Sequence, residues 1–277
     1  MRSSIWGAHG SWIAPNSTRG SIASGCSSMQ TSPQWQKPMP VRMLRARPAA
    51  APHASHAMPP TLVFDVNETL LDLSALDAPF NDAFGSPDVR AEWFAQVLQS
   101  ALVHTVLDTY ADFSAIAAAA LDMIAARHDR SLSEAEQTAI LDTVRELPPH
   151  PDVPYALDRL AAADIRLAAL SNGSPDVLHA QLAHADLTAY FDEILSAHAV
   201  RRLKPAPDPY HMAMDVLGVS ACDMGFVAAH TWDVAGAMRV GCPATLVLRD
   251  GVTPDPLAPP PTHTLPTLHA LADLLDA

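Results

Sequence analysis

From residue 155 onward, helical and strand-like segments alternate, and each strand-like segment runs into polar or charged side chains. Tyr155–Ala163 reads as a helix and Ile165–Leu170 as a strand. Pro175–His184 is a helix opened by Ser174, and Glu193–Ser196 a short strand. Pro207–Leu217 is a helix closed by Gly218, Met224–Ala229 a strand, Trp232–Val240 a helix closed by Gly241, and Ala244–Arg249 a strand. Earlier in the chain, Thr61-Leu62-Val63-Phe64-Asp65 is a short apolar run ending in an acid, which fits a buried strand presenting Asp65. The alternation predicts an α/β fold, a Rossmann-like parallel sheet with helices on both faces. In such sheets the ligand lies at the carboxyl ends of the strands.

Between the first strand and this alternating half the rhythm is helical. From Pro87 to Tyr110, Val89, Trp93, Val97 and Ala101 recur every four residues. Asp112 to His128 is Ala-rich, and Ser133 to Glu146 starts with Ser133-x-x-Glu136, a capping box. Three helices with no strand between them predict a helical insertion at 74–147, leaving 58–73 and 148–277 as the sheet domain. The Pro-rich stretch Thr253 to Pro266 reads as a surface loop before a last helix, Thr267–Leu275.

Charge sets the opening segment apart. The chain carries 30 acidic and 17 basic residues, net −13, and no acid precedes Asp65. Residues 1–57 are Ser- and Pro-rich, with Arg2, Arg19, Lys37, Arg42, Arg45 and Arg47 as their bases. Three readings fit them: a presequence, a disordered tail, or a start assigned too early, with translation beginning at Met58. The last is favoured, because Met58-Pro59-Pro60 leads straight into the first strand. The acidic balance argues against nucleic acid as a partner. No apolar run is long enough for a transmembrane helix, so no membrane partner is expected. Cys26, Cys222 and Cys242 form no CxxC pair, which suits a reducing cytoplasm and argues against a thiolate zinc site.

The polar groups at the strand ends are Asp65, Ser171-Asn172, Lys204 after a short loop, and His230 with Asp233. Each alone has an ordinary reading as a turn residue, a solvated lysine or a helix cap. Together they are expected to converge on one crevice.

In this order the chain resembles the haloacid dehalogenase superfamily. Phe64-Asp65-Val66-Asn67-Glu68-Thr69-Leu70 is similar to its first motif and Leu170-Ser171-Asn172-Gly173 to its second. Lys204-Pro205 is similar to the third and His230-Thr231-Trp232-Asp233 to the fourth. The resemblance implies a cap domain at the helical insertion. Phosphatases of the superfamily have an acid where this chain has Asn67, and more than one acid in the fourth motif to hold Mg²⁺. What remains suits displacement at carbon: an Asp65 carboxylate needs no base to attack C2 of a 2-haloacid, whereas hydrolysis of the resulting ester does. Asp233 is the expected base, with His230 as the less conventional one. Lys204 is expected to hold the carboxylates together, and Ser171 and Asn172 to bind the substrate carboxylate.

The set looks like the type II (L-2-haloacid) dehalogenases, which implies metal-free, cofactor-free hydrolysis of a small-molecule 2-haloacid. Residue by residue, the resemblance implies Asp65 as nucleophile and Thr69, Ser171, Asn172, Lys204, Tyr210 and Asp233 as its polar support. Phe113 and Trp232 match apolar pocket positions. The family usually has Tyr-Gly where this chain has Asn67-Glu68, and a Trp-Arg pair on the cap helix where it has Trp93-Phe94. Arg90, on the same helical face, is a candidate substitute for the missing halide-site Arg, or simply a solvated first-turn residue. His230 brings positive charge or a base to the pocket, or fills it as a neutral hydrogen-bonding ring. Two other readings stay open, a Mg²⁺-dependent phosphatase and a catalytically idle binding protein on the same scaffold. The Ala-rich cap faces and Trp93 also admit a homodimer surface.

Overall fold

A computed structural model describes residues 58–276. The readings of residues 1–57 therefore lie outside the described residues. The core is a six-stranded, all-parallel sheet in the order β3-β2-β1-β4-β5-β6. Its strands are β1 (Thr61–Phe64), β2 (Arg166–Ser171), β3 (Glu193–Ser196), β4 (Met224–Ala228), β5 (Ala244–Val247) and β6 (His263–Leu265). β1 is central and buried along its whole length, as its uninterrupted apolar run requires of a strand covered on both faces.

Successive side chains of β1 point to opposite layers. Leu62 and Phe64 pack with α5 (Val153–Ala162), α6 (Pro175–His184) and α9 (Leu268–Asp273). Val63 packs with α7 (Pro207–Leu217) and α8 (Thr231–Arg239) on the other side. Each fully buried Phe or Leu here contributes about 1.5–3 kcal/mol relative to leaving it exposed. The order of strands reverses between β2-β1 and β1-β4, which opens a crevice beside β1 at the carboxyl ends.

The helical insertion comprises α1 (Asp77–Phe84), α2 (Val89–Val106), α3 (Phe113–Arg127) and α4 (Glu134–Thr143). The capping box at Ser133 and Glu136 forms as expected. The chain enters and leaves the insertion side by side: Asp72 N donates to Pro148 O at 2.8 Å, and His150 N to Leu70 O at 2.9 Å. Three expectations need correction. α1 was not anticipated, because eight residues give too few turns to establish a period. α2 ends at Val106, short of Tyr110. The stretch read as a loop contains β6, whose three residues pair with β5 and carry no apolar alternation to announce a strand.

Candidate active site

Asp65 follows β1 directly, and its backbone N–H extends the ladder to Val227 O at 3.0 Å. Its carboxylate is held at both oxygens. Oδ1 accepts from Lys204 Nζ at 2.7 Å, and Oδ2 from Thr69 Oγ1 at 2.7 Å. Thr69 is oriented in turn by the Ala229 backbone N–H, which donates to its Oγ1 at 2.9 Å.

Lys204 is fully buried and spends its three hydrogens on Asp65 Oδ1, Asp233 Oδ2 at 2.6 Å and Leu170 O at 2.8 Å. Asn172 fixes the backbone that carries it, accepting from Lys204 N at 2.7 Å and donating to Lys204 O at 3.3 Å. These bonds leave the second Nδ2 hydrogen of Asn172 unused. Ser171 Oγ accepts from Gly173 N at 3.0 Å and keeps its own hydrogen to donate. Asp233 is wholly buried, and its Oδ1 accepts from Tyr210 Oη at 2.5 Å. Tyr210, read above as part of the polar support of Asp65, acts here through Asp233. It is itself fully buried and serves Asp233.

Charge balance follows from this packing. Burial pushes the Asp65 carboxyl up, but Lys204, His230 and the hydrogen bonds from Lys204 and Thr69 outweigh it and hold it below its ordinary value. Burial also pushes Asp233 up, against the pull of Lys204, and Asp65 adds like-charge repulsion, so Asp233 stands above its ordinary value. Burial alone would lower Lys204; Asp233 and Asp65 reverse that and raise it. The ammonium sits between the two carboxylates and pairs with both. No three His, Cys, Asp or Glu side chains converge as metal ligands among the described residues. The donor set does not fit Mg²⁺.

His230 presents Nε2 to three acceptors: Asn67 O at 3.3 Å, Glu68 Oε2 at 3.6 Å and Asp65 Oδ2 at 3.8 Å. Its ring stacks on Trp232 at 5.2 Å and faces Phe94 at 6.1 Å. Glu68 sits at φ 61°, a left-handed conformation that favours glycine. Burial raises its carboxyl, partly offset by His230 and Arg90. Sequence reasoning noted Glu68 only as a departure from the motif.

A cavity of about 250 Å³ lies between the insertion and residues that flank this cluster; Asp65, Lys204, His230 and Asp233 are not among its lining residues. Asn67 and Gly173 line it from the sheet domain, and Trp93, Phe94, Phe113 and Arg145 from the insertion. Trp93 is locked by its indole N–H, which donates to Ala117 O at 2.9 Å. The structure thus brings Asp65, Thr69, Ser171, Asn172, Lys204, Tyr210, His230, Trp232 and Asp233 into one cluster, with Asn67, Trp93 and Phe113 on the cavity wall. Arg90 does not line that wall, because its guanidinium is engaged by Asp77 at 2.5 Å. The basic side chain that does line it is Arg145, which makes no ion pair among the described residues. Its signal in the sequence was a lone basic residue at the end of an acidic helix, which is too common to single out.

Comparison with known proteins gives the same outline. The haloacid dehalogenase-like hydrolase family model matches residues 62–247. The (S)-2-haloacid dehalogenase of Xanthobacter autotrophicus is 32% identical over 68% of this chain and 74% of its own length. (S)-2-haloacid dehalogenase 4A of Burkholderia cepacia is 30% identical over 77% of this chain and 93% of its own length. Among solved structures, the X. autotrophicus L-2-haloacid dehalogenase superposes with a TM-score of 0.74 at 28% identity, covering 79% of this chain and 99% of that one. The same enzyme has been solved with chloropropionic acid covalently bound. The described residues contain no helix long and apolar enough to cross a membrane. On the extent of the family match and the identity to these relatives, the chain belongs to the haloacid dehalogenase-like hydrolases.

Proposed function

We propose that the protein hydrolyses small 2-haloalkanoic acids to 2-hydroxy acids through an ester on Asp65, with the helical insertion as its cap domain. The observation that carries this reading is the Lys204 ammonium bridging Asp65 and Asp233. It keeps Asp65 ionised and oriented. One carboxylate oxygen of Asp65 attacks C2, the carbon–halogen bond breaks, and halide leaves with the bonding pair. Water then attacks the carboxyl carbon of the ester. The acyl–oxygen bond breaks, one water proton ends on the 2-hydroxy acid and the other passes to a base.

Asp233 was the first expectation for that base, but both its oxygens are committed, to Lys204 and Tyr210, in a fully buried position. His230 Nε2 faces only acceptors, the Asn67 carbonyl and the Glu68 and Asp65 carboxylates, so it carries a hydrogen there and supports the reacting carboxyl as a donor. Asp233 then acts by holding Lys204. Ser171 Oγ–H and the N-terminal end of α6 suit the substrate carboxylate. The exposed Val103, Val106 and Leu107 at the end of α2 supply the surface for a homodimer. Free Cys222 and Cys242 are consistent with a cytoplasmic setting.

The experiment is halide release from chloro-, bromo- and fluoroacetate and 2-chloropropionate, with and without EDTA. The expected result is release that EDTA leaves unchanged. Turnover of a phosphate monoester that EDTA abolishes, with no halide release, would overturn the reading.

A further inference from the structure

Gln181 lies in α6 between the sheet domain and the insertion, and it is fully buried. Its Nε2 donates to Val144 O at 2.8 Å and to Asn67 Oδ1 at 2.9 Å. Its Oε1 is buried with no partner among the described residues. A backbone carbonyl only accepts, so the atom facing Val144 has to be the amide nitrogen. Turning the side chain over would set oxygen against oxygen. The second hydrogen on that nitrogen then calls for an acceptor on Asn67, which draws Asn67 Oδ1 toward Gln181 and turns Nδ2 away. Leaving a buried acceptor unmet is unfavourable, so the donors are what hold Gln181 in place. Asn67 lines the cavity beside Trp93, Phe94 and Leu73, and its two N–H groups remain for whatever enters there.

We propose that Gln181 is a positioning residue: it aims the Asn67 amide N–H groups into the cavity as donors to the anionic part of the substrate. Because Val144 belongs to the segment that ends the insertion, this aim holds only while that segment is seated on α6. Asn67 thereby reports whether the cavity is closed. The inference rests on the dehalogenase reading, in which both the substrate carboxylate and the departing halide are anions.

The test uses the full chain and 2-chloropropionate, with Gln181→Met, Asn67→Leu and the double variant. Gln181→Met is expected to raise KM about tenfold with kcat within about threefold, the pattern of lost uniform binding. Asn67→Leu is expected to do the same, and the double variant to add nothing to Asn67→Leu, because one residue acts through the other. Asn67→Asp keeps an acceptor for Gln181 but turns an oxygen into the cavity. It is expected to raise KM at least about tenfold, and it serves as the test if Gln181→Met does not fold. A matching loss of chloride product inhibition identifies halide as the anion; a rise in KM alone identifies the carboxylate. KM unchanged in Gln181→Met or in Asn67→Asp, or losses that multiply in the double variant, would overturn the proposal while wild-type turnover stands. Absence of halide release by the wild type from any 2-haloacid would instead sink the dehalogenase reading, and this inference with it.

Discussion

Lys204 carries the most consequence of any single side chain. It is buried, and its single positive charge sits between two carboxylates that would otherwise repel each other. Replacing it with Met removes the counter-charge but not the charges. Breaking a buried pair in this way costs about 3–5 kcal/mol. Asp65 is held below its ordinary value in the wild type, so its contribution to stability is present above the normal carboxylate range and is lost as pH falls through it. In Lys204→Met the sign reverses for Asp65, because burial and repulsion by Asp233 then raise it, while Asp233, already above its ordinary value, rises further. Urea unfolding at pH 7 and pH 5 checks this: the variant is expected to lose less relative to wild type at the lower pH, and to release no halide at either. The motif residues were legible because each sits where a strand ends. Glu68, Gln181 and Arg145 were not, since a glutamate in a turn or a glutamine in a helix gains meaning only from neighbours distant in sequence. A Gln on the apolar face beside Leu178 and Leu182 was the one signal available.

Among the elements, α8 shows how packing sets chemistry. A Cβ added at Gly236 would lie 2.5 Å from Tyr210 Oη and 2.7 Å from Pro205 Cβ. The missing side chain is therefore what lets α7 and α8 approach closely enough for Tyr210 to reach Asp233. Gly236→Ala is expected to cost about 1–3 kcal/mol by overpacking. It should also lower kcat, because Tyr210 must withdraw from the carboxylate that holds Lys204. A thermal melt measured alongside steady-state kinetics checks both effects, and a variant as stable and as active as wild type contradicts this account of α8. β6 and α1 escaped sequence reasoning for a related reason. Each is short and takes its form from a neighbour, β6 from pairing with β5 and α1 from packing against the other insertion helices.

Over the whole molecule, a parallel sheet supplies a rigid floor and the helical insertion a roof, and the cavity lies between them. The two parts are joined by the paired linkers at Asp72 and His150 and by polar contacts across the gap. Tyr110 Oη pairs with His198 Nδ1 at 2.7 Å, and Ser114 Oγ with Ser174 Oγ at 3.2 Å. The sheet and its site were readable from period and punctuation, whereas the fit of roof to floor depends on pairings that no local pattern encodes. The central claim is that Asp65 becomes esterified at carbon and is restored by water. The measurement is the mass of the peptide containing Asp65 after many turnovers of a 2-haloacid in ¹⁸O water. The account predicts heavy oxygen in the Asp65 carboxylate. Unlabelled Asp65 alongside a labelled 2-hydroxy acid would mean that water attacks the substrate directly, and would contradict it.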